Sequence, residues 1–139
     1  MIPRPQVDWF ALAPVLALLG ASGLLLLMAV FVPRVVRRPL SAIVCAGGFA
    51  TSFVLACFLD ERSPDGHGVV ADAMTRDRWG ALAQVLIAGC GLVAVLIAFR
   101  EPLRDEHVAE YYALLAAAGA GMAFFVQAAN LMTLFLGLE

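Results

Sequence analysis

Few side chains in this sequence have both the type and the setting that chemistry needs. Glu139 is the one that stands apart. It follows Asn130-Leu131-Met132-Thr133-Leu134-Phe135-Leu136-Gly137-Leu138, so this carboxylate is approached through apolar sequence. If a helix enters a membrane near Ala129, ten residues at 1.5 Å each bring the chain about 15 Å deep, near the bilayer midplane. A carboxylate there is expensive and belongs to a proton or ion pathway. Glu139 is therefore the candidate catalytic residue, for intramembrane proton translocation. The competing reading makes it the first charged residue after a span. That reading would hold for a chain complete at 139, but proteins rarely stop in mid-helix, and a longer protein is expected.

Other chemistries find no support. His67 and His107 lie in polar segments without ligand spacing around them, and solvated imidazoles are expected. There is no Ser/His/Asp arrangement, no H-E-x-x-H and no phosphate loop. Cys45, Cys57 and Cys90 all fall inside hydrophobic runs. An odd count without C-x-x-C spacing gives neither a disulfide framework nor a zinc site, and small apolar packing residues are expected. No metal site and no redox cofactor is expected in this chain. The acids Asp60, Glu61, Asp65, Asp72 and Asp77 read as a hydrated surface.

The elements that must position Glu139 follow from composition. Of 139 residues, 63% are apolar and 14% charged, against roughly 45–50% and about 25% in soluble domains. A water-soluble fold of this size cannot hide so much apolar surface, whereas lipid can cover it. A net charge of −2, with nine arginines and no lysine, offers no basic face, so nucleic acid is excluded as a partner. The lipid bilayer takes its place.

Four uncharged runs set the topology. Trp9 to Val32 is 24 residues long, about 36 Å as a helix against a hydrocarbon core of about 30 Å. Pro39 to Leu59 follows, with Pro39 suited to a first helical turn. Trp79 to Phe99 is the third run. The last, Tyr111 to Leu138, would be about 42 Å as one helix, and Gln127-Ala128-Ala129-Asn130 interrupts it. The pattern predicts a fourth helix over 108–126, a tight turn at 127–130 and a fifth helix from about Leu131. The fold class is all-α, a polytopic membrane helix bundle. Arg34, Arg37 and Arg38 mark the first loop as internal, which places the amino terminus and the polar 60–78 segment outside.

Small residues recur at helix-contact spacing: Gly47-Gly48 with Thr51-Ser52, and Ala117 with Gly121. The triplets Gly89-x-Gly91 and Gly119-x-Gly121 sit inside membrane runs without the strand–turn–helix context of a dinucleotide site. They are expected to serve packing.

The segment Tyr111-Tyr112-Ala113-Leu114-Leu115, followed by Asn130-Leu131-Met132-Thr133-Leu134-Phe135-Leu136-Gly137-Leu138-Glu139, resembles the N subunit of proton-pumping NADH–quinone oxidoreductase, respiratory complex I. The resemblance is dense over 110–139 and continues more loosely through Met74 to Leu82. It implies the amino-terminal part of an antiporter-like subunit of about fourteen helices with two inverted repeats. Residues 1–107 would hold helices one to three, and residues 108–139 the start of the first repeat. It also implies that Glu139 works with lysines on later helices in moving protons, in a multi-pass protein of the bacterial plasma membrane. FMN, iron–sulfur clusters and quinone chemistry would lie in partner subunits, and this chain would hold no cofactor. It would act as a translocase subunit beside the other membrane subunits, without redox chemistry of its own. Related families share the glutamate: the M and L subunits, the D subunit of cation/proton antiporters and membrane subunits of some hydrogenases. A small autonomous helical membrane protein is the alternative class.

Overall fold

The structure, a computed structural model, describes residues 9–61, 67–68, 74–76, 78–101 and 107–139. Helices dominate, in the order α1 (Trp9–Phe31), α2 (Arg34–Glu61), α3 (Arg78–Arg100), α4 (Val108–Val126) and α5 (Leu131–Leu138). The first four are long and apolar enough to cross a membrane. The eight residues of α5 reach only about 12 Å, less than half a hydrocarbon core. The break expected at 127–130 is present, α4 spans the residues the hydrophobic pattern gives it, and α5 begins at Leu131 as expected.

The second helix differs from expectation. It starts at Arg34, five residues before Pro39, which lies inside it. Arginine is a good helix former, and Pro33, just outside the helix, sets the entry in place of Pro39. The cost is one ladder bond, the one Pro39 would have donated to the Val35 carbonyl. The described residues of the polar 60–78 segment include paired strands. A two-stranded antiparallel pair joins β1 (His67–Gly68) to β2 (Thr75–Arg76), and Met74 bridges to Ala128. Met74 is buried against Leu12 and Phe124, so this segment is anchored over the end of α4. The turn expected at Ser63 to Gly66 lies outside the described residues.

Each long helix buries a narrow seam and leaves the rest of its apolar surface exposed. The buried positions are Val15, Leu18, Ser22 and Leu25 in α1, and Ala42, Cys45, Phe49, Ser52 and Ala56 in α2. In α3 and α4 they include Gln84, Ala88, Gly91 and Val95, and Ala109, Ala113, Ala116, Ala120 and Ala123. Three and four alternate in every seam, the period of left-handed helix packing. The buried residues are mostly small, while Leu27, Val30, Leu86, Leu96 and Leu114 are exposed. That arrangement is unfavourable in water and natural in lipid, where close packing rather than solvent exclusion holds helices together.

The seams close α1, α2, α3 and α4 into a ring, with α2 also touching α4 across it and α5 packed on α4. Phe49 fills the crossing. A Cβ added at Gly91 would collide with the Phe49 ring, and one added at Gly119 would lie 2.7 Å from it. The ring is thus slotted between a glycine of α3 and a glycine of α4, which accounts for two of the four glycines in the G-x-G triplets. Gly48 makes a similar approach to Ala21, where an added Cβ would come within 2.6 Å, whereas Gly47 faces open space. Of the small pairs at helix-contact spacing in α2, only Gly48 and Ser52 therefore serve an interface.

The arginines of the first loop have structural work as well. Arg37 donates through Nε and Nη2 to the Val32 carbonyl at 3.2 and 2.8 Å. Arg38 Nη2 donates to the carbonyls of Phe99 and Glu101 at 3.2 and 2.5 Å. Guanidinium groups thereby meet orphan carbonyls at the carboxyl ends of α1 and α3, where helix dipoles favour positive charge.

The Phe49 slot predicts strong coupling. Gly91→Ala should destabilise the bundle by about 1–3 kcal/mol through overpacking, and Phe49→Leu should destabilise it by creating space. Combined, they should cost less than the sum by about 0.5–3 kcal/mol, because Leu vacates the volume that Ala enters. A double-mutant cycle of unfolding in mixed micelles measures this, and strict additivity would show that the two residues do not touch.

Candidate functional site

The site is built on the end of α4. In its last turn the hydrogen bonding tightens: Gln127 N donates to Phe124 O at 3.2 Å and Ala128 N to Phe125 O at 3.1 Å. The Ala123 carbonyl instead accepts from Gln84 Nε2 at 3.3 Å, a buried bond from α3. Gln127 is buried too, and its Oε1 has no hydrogen-bond partner among the described residues. The chain then reverses, because Asn130 is in extended backbone and caps a new helix. Asn130 Oδ1 accepts from Thr133 N at 2.8 Å and also from the Thr133 hydroxyl. An Asn in this position satisfies one of the amides left orphaned by a helix start, which an apolar setting makes costly to leave bare.

From that cap α5 returns along α4. Its seat is a backbone contact: a Cβ added at Gly137 would lie 2.8 Å from Phe125 N and 2.9 Å from its Cα. A Cβ added at Gly121 would lie 2.9 Å from Gly137 O. Two residues further on, Glu139 N donates to Phe135 O at 3.2 Å. Glu139 shares an open groove of about 680 Å³ with Leu114, Ala117, Ala118 and Gly121 of α4 and Ile87 of α3. That groove runs along α4 from Leu114 to Val126. Gly137 sits against Phe125, one residue from the end of α4, and two further residues carry the chain about 3 Å deeper to Glu139.

Glu139 also lines a second groove, with Met132, Phe135 and Leu136. Those positions follow the i, i+3, i+4, i+7 spacing of one helix face. All four residues are exposed. The carboxylate thus completes an otherwise apolar, exposed stripe while also bordering the groove along α4.

The remaining candidates are not brought to this groove. His107 is exposed at the start of α4, with Nδ1 3.1 Å from Glu110 Oε2. Cys45 is buried in α2, its Sγ 3.5 Å from the Tyr112 carbonyl, while Cys90 is exposed on α3. No group of three His, Cys, Asp or Glu residues able to hold a metal occurs among the described residues. The two buried amides are a different case. Gln84 was not anticipated, although an amide inside an uncharged membrane run was a readable signal.

Comparison with known proteins adds the family. A NADH-quinone oxidoreductase subunit N 1 of Symbiobacterium thermophilum is 34% identical over 91% of this chain. A NADH-quinone oxidoreductase subunit N of Geobacillus sp. is 30% identical over 96% of it, and one of Salinispora arenicola 31% identical over 97%. The chain belongs to the subunit N family. It spans about a quarter to a third of the length of these relatives, 25% to 30%. No family model matches the sequence. Membership accords with a bundle of four helices long and apolar enough to cross a membrane.

If the cap holds α5 in place, Asn130→Ala should weaken the helix by about 1 kcal/mol, whereas Asn130→Asp should retain most of it. In nanodiscs, amide exchange over residues 131–138 should quicken about fivefold in the alanine variant, the factor that follows from that energy. Equal exchange in the parent and in Asn130→Ala would show that the Asn130 side chain contributes nothing to α5.

Proposed function

We propose that this chain serves proton translocation in the membrane arm of a bacterial NADH–quinone oxidoreductase, with Glu139 as the proton-carrying residue. The observation that carries the reading is the place of that carboxylate, on a helix that returns along α4 and in line with an exposed apolar stripe. Such a group facing hydrocarbon alone would be costly, so the stripe is expected to be covered by protein carrying a polar or basic partner. This chain contains no lysine, and the partner charge would come from outside residues 1–139.

The chemistry required is simple. A carboxyl in an apolar interior favours its neutral form when no charge is near, and its anionic form when a positive group approaches. A moving partner charge therefore loads and unloads one proton. Asn130 and Thr133 line a groove with Glu139, and with Gln84 and Gln127, buried toward the α4–α5 turn, they are polar groups that a route between Glu139 and that membrane face could use. FMN, iron–sulfur and quinone chemistry are assigned to partner subunits, which would deliver redox energy as conformational and electrostatic change. Within the whole subunit, residues 1–107 would precede an antiporter-like repeat that begins with α4 at residue 108. The plasma membrane is the proposed location.

Three variants of the full-length subunit in the assembled complex test this. Glu139→Gln keeps shape and removes titration, and should lower pumping and coupled quinone reduction at least about tenfold, the factor of a 1.4 kcal/mol barrier change. Glu139→Asp should be milder, and Glu139→Leu as damaging as the glutamine. If all three assemble and pump at the parent rate, Glu139 carries no proton.

A further inference from the structure

Glu139 owes its place to contacts that lie two residues away. Among the described residues, α5 packs on α4, and its tightest approach is at glycines. The atoms that a Cβ on Gly137 would meet are the backbone N and Cα of Phe125 and then its Cβ, at 2.8, 2.9 and 3.1 Å. None of these is the far end of a flexible side chain, so a methyl group can be admitted only by moving a helix. Gly121 presents the reciprocal case, since its added Cβ would meet the Gly137 carbonyl oxygen at 2.9 Å.

This contact sets direction as well as height. Successive residues of an α-helix are turned by about 100°, so residue 139 projects about 200° from residue 137. With Gly137 pressed onto the α4 backbone, Glu139 is set at the border between the groove along α4 and the stripe of Met132, Phe135 and Leu136. A shift at Gly137 would raise α5, rotate it, or both, and the carboxylate would lose its alignment with whatever covers that stripe.

We infer that Gly137 and Gly121 are positioning residues for the proton site: their backbone-to-backbone contact fixes the depth and the facing of the Glu139 carboxylate. The inference rests on the proton-carrying role proposed for Glu139, so its test separates placement from function. Placement is read by a nitroxide on Glu139→Cys, in the assembled full-length complex in lipid, through its relative collision rates with oxygen and a water-soluble nickel chelate. Function is read in complexes that retain Glu139, as coupled quinone reduction across a pH series.

Gly137→Ala should change the nitroxide's oxygen-to-nickel ratio at least twofold. It should also lower coupled turnover about fivefold or more and displace the pH at which turnover is half-maximal. Gly121→Ala should act in the same direction. Leu131→Ala, an exposed position at the start of α5 outside both grooves, should leave the nitroxide ratio, the rate and the pH profile unchanged. An unmoved nitroxide in both glycine variants overturns the positioning inference, whatever the rates do. A displaced nitroxide with parental turnover and pH profile supports the placement and overturns the proton role of Glu139.

Discussion

The bundle depends on one aromatic ring held between two glycines. Lipid gives helices little reason to associate beyond close contact, so the fold needs places where backbones come near and a side chain fills what remains. Phe49 does this where α2 meets α3 and α4, with Gly91 on one side and Gly119 on the other. The ring ties three helices at once and fixes the height of α4 against its neighbours. Everything toward the carboxyl end then uses α4 as a platform. Gln84 of α3 reaches its last turn, Met74 bridges to Ala128 just beyond it, and α5 lies along its side.

The second constraint is that a chain inside a bilayer cannot leave backbone groups bare. Reversing direction at 127–130 is possible because each exposed group finds a local answer. The last amides of α4 turn to carbonyls three residues back, Gln84 takes the Ala123 carbonyl, and Asn130 supplies an acceptor to the first turn of α5. The reversal turns the chain back along α4, and so a carboxylate at the end of eight residues lines a groove beside a spanning helix. A single helix over 111–138 would carry Glu139 to the opposite membrane face, where it would be an ordinary solvated acid.

Much of this was legible in the sequence because membrane physics is written in run lengths. Uncharged runs of 21 to 24 residues gave helices, and an overlong last run with Gln127 and Asn130 in its middle gave the break and both helix bounds. The start of α2 was misplaced because two prolines, Pro33 and Pro39, both suit a helix entry, and choosing between them takes knowledge of where Arg37 and Arg38 find carbonyls. The glycine triplets were correctly set aside as packing features, but what they pack against was invisible. The partner of Gly91 and Gly119 is Phe49, more than forty residues away in sequence, and nothing in local pattern links them. Gln84 was overlooked for a similar reason: its value depends on the Ala123 carbonyl being released by a tightened turn. The return of α5 followed from the break in the last run, whereas its close seat on α4 required the Gly137 contact.

The return of α5 along α4 is the claim on which the account of Glu139 stands, and it can be measured directly. With the full-length protein labelled at glycine and phenylalanine in lipid, solid-state NMR reports through-space correlations between backbone carbons. The account predicts correlations from Gly137 to both Phe125 and Gly121. One continuous helix would hold Gly137 and Phe125 about 18 Å apart, and absence of those correlations beside well-resolved contacts within α4 would contradict the account.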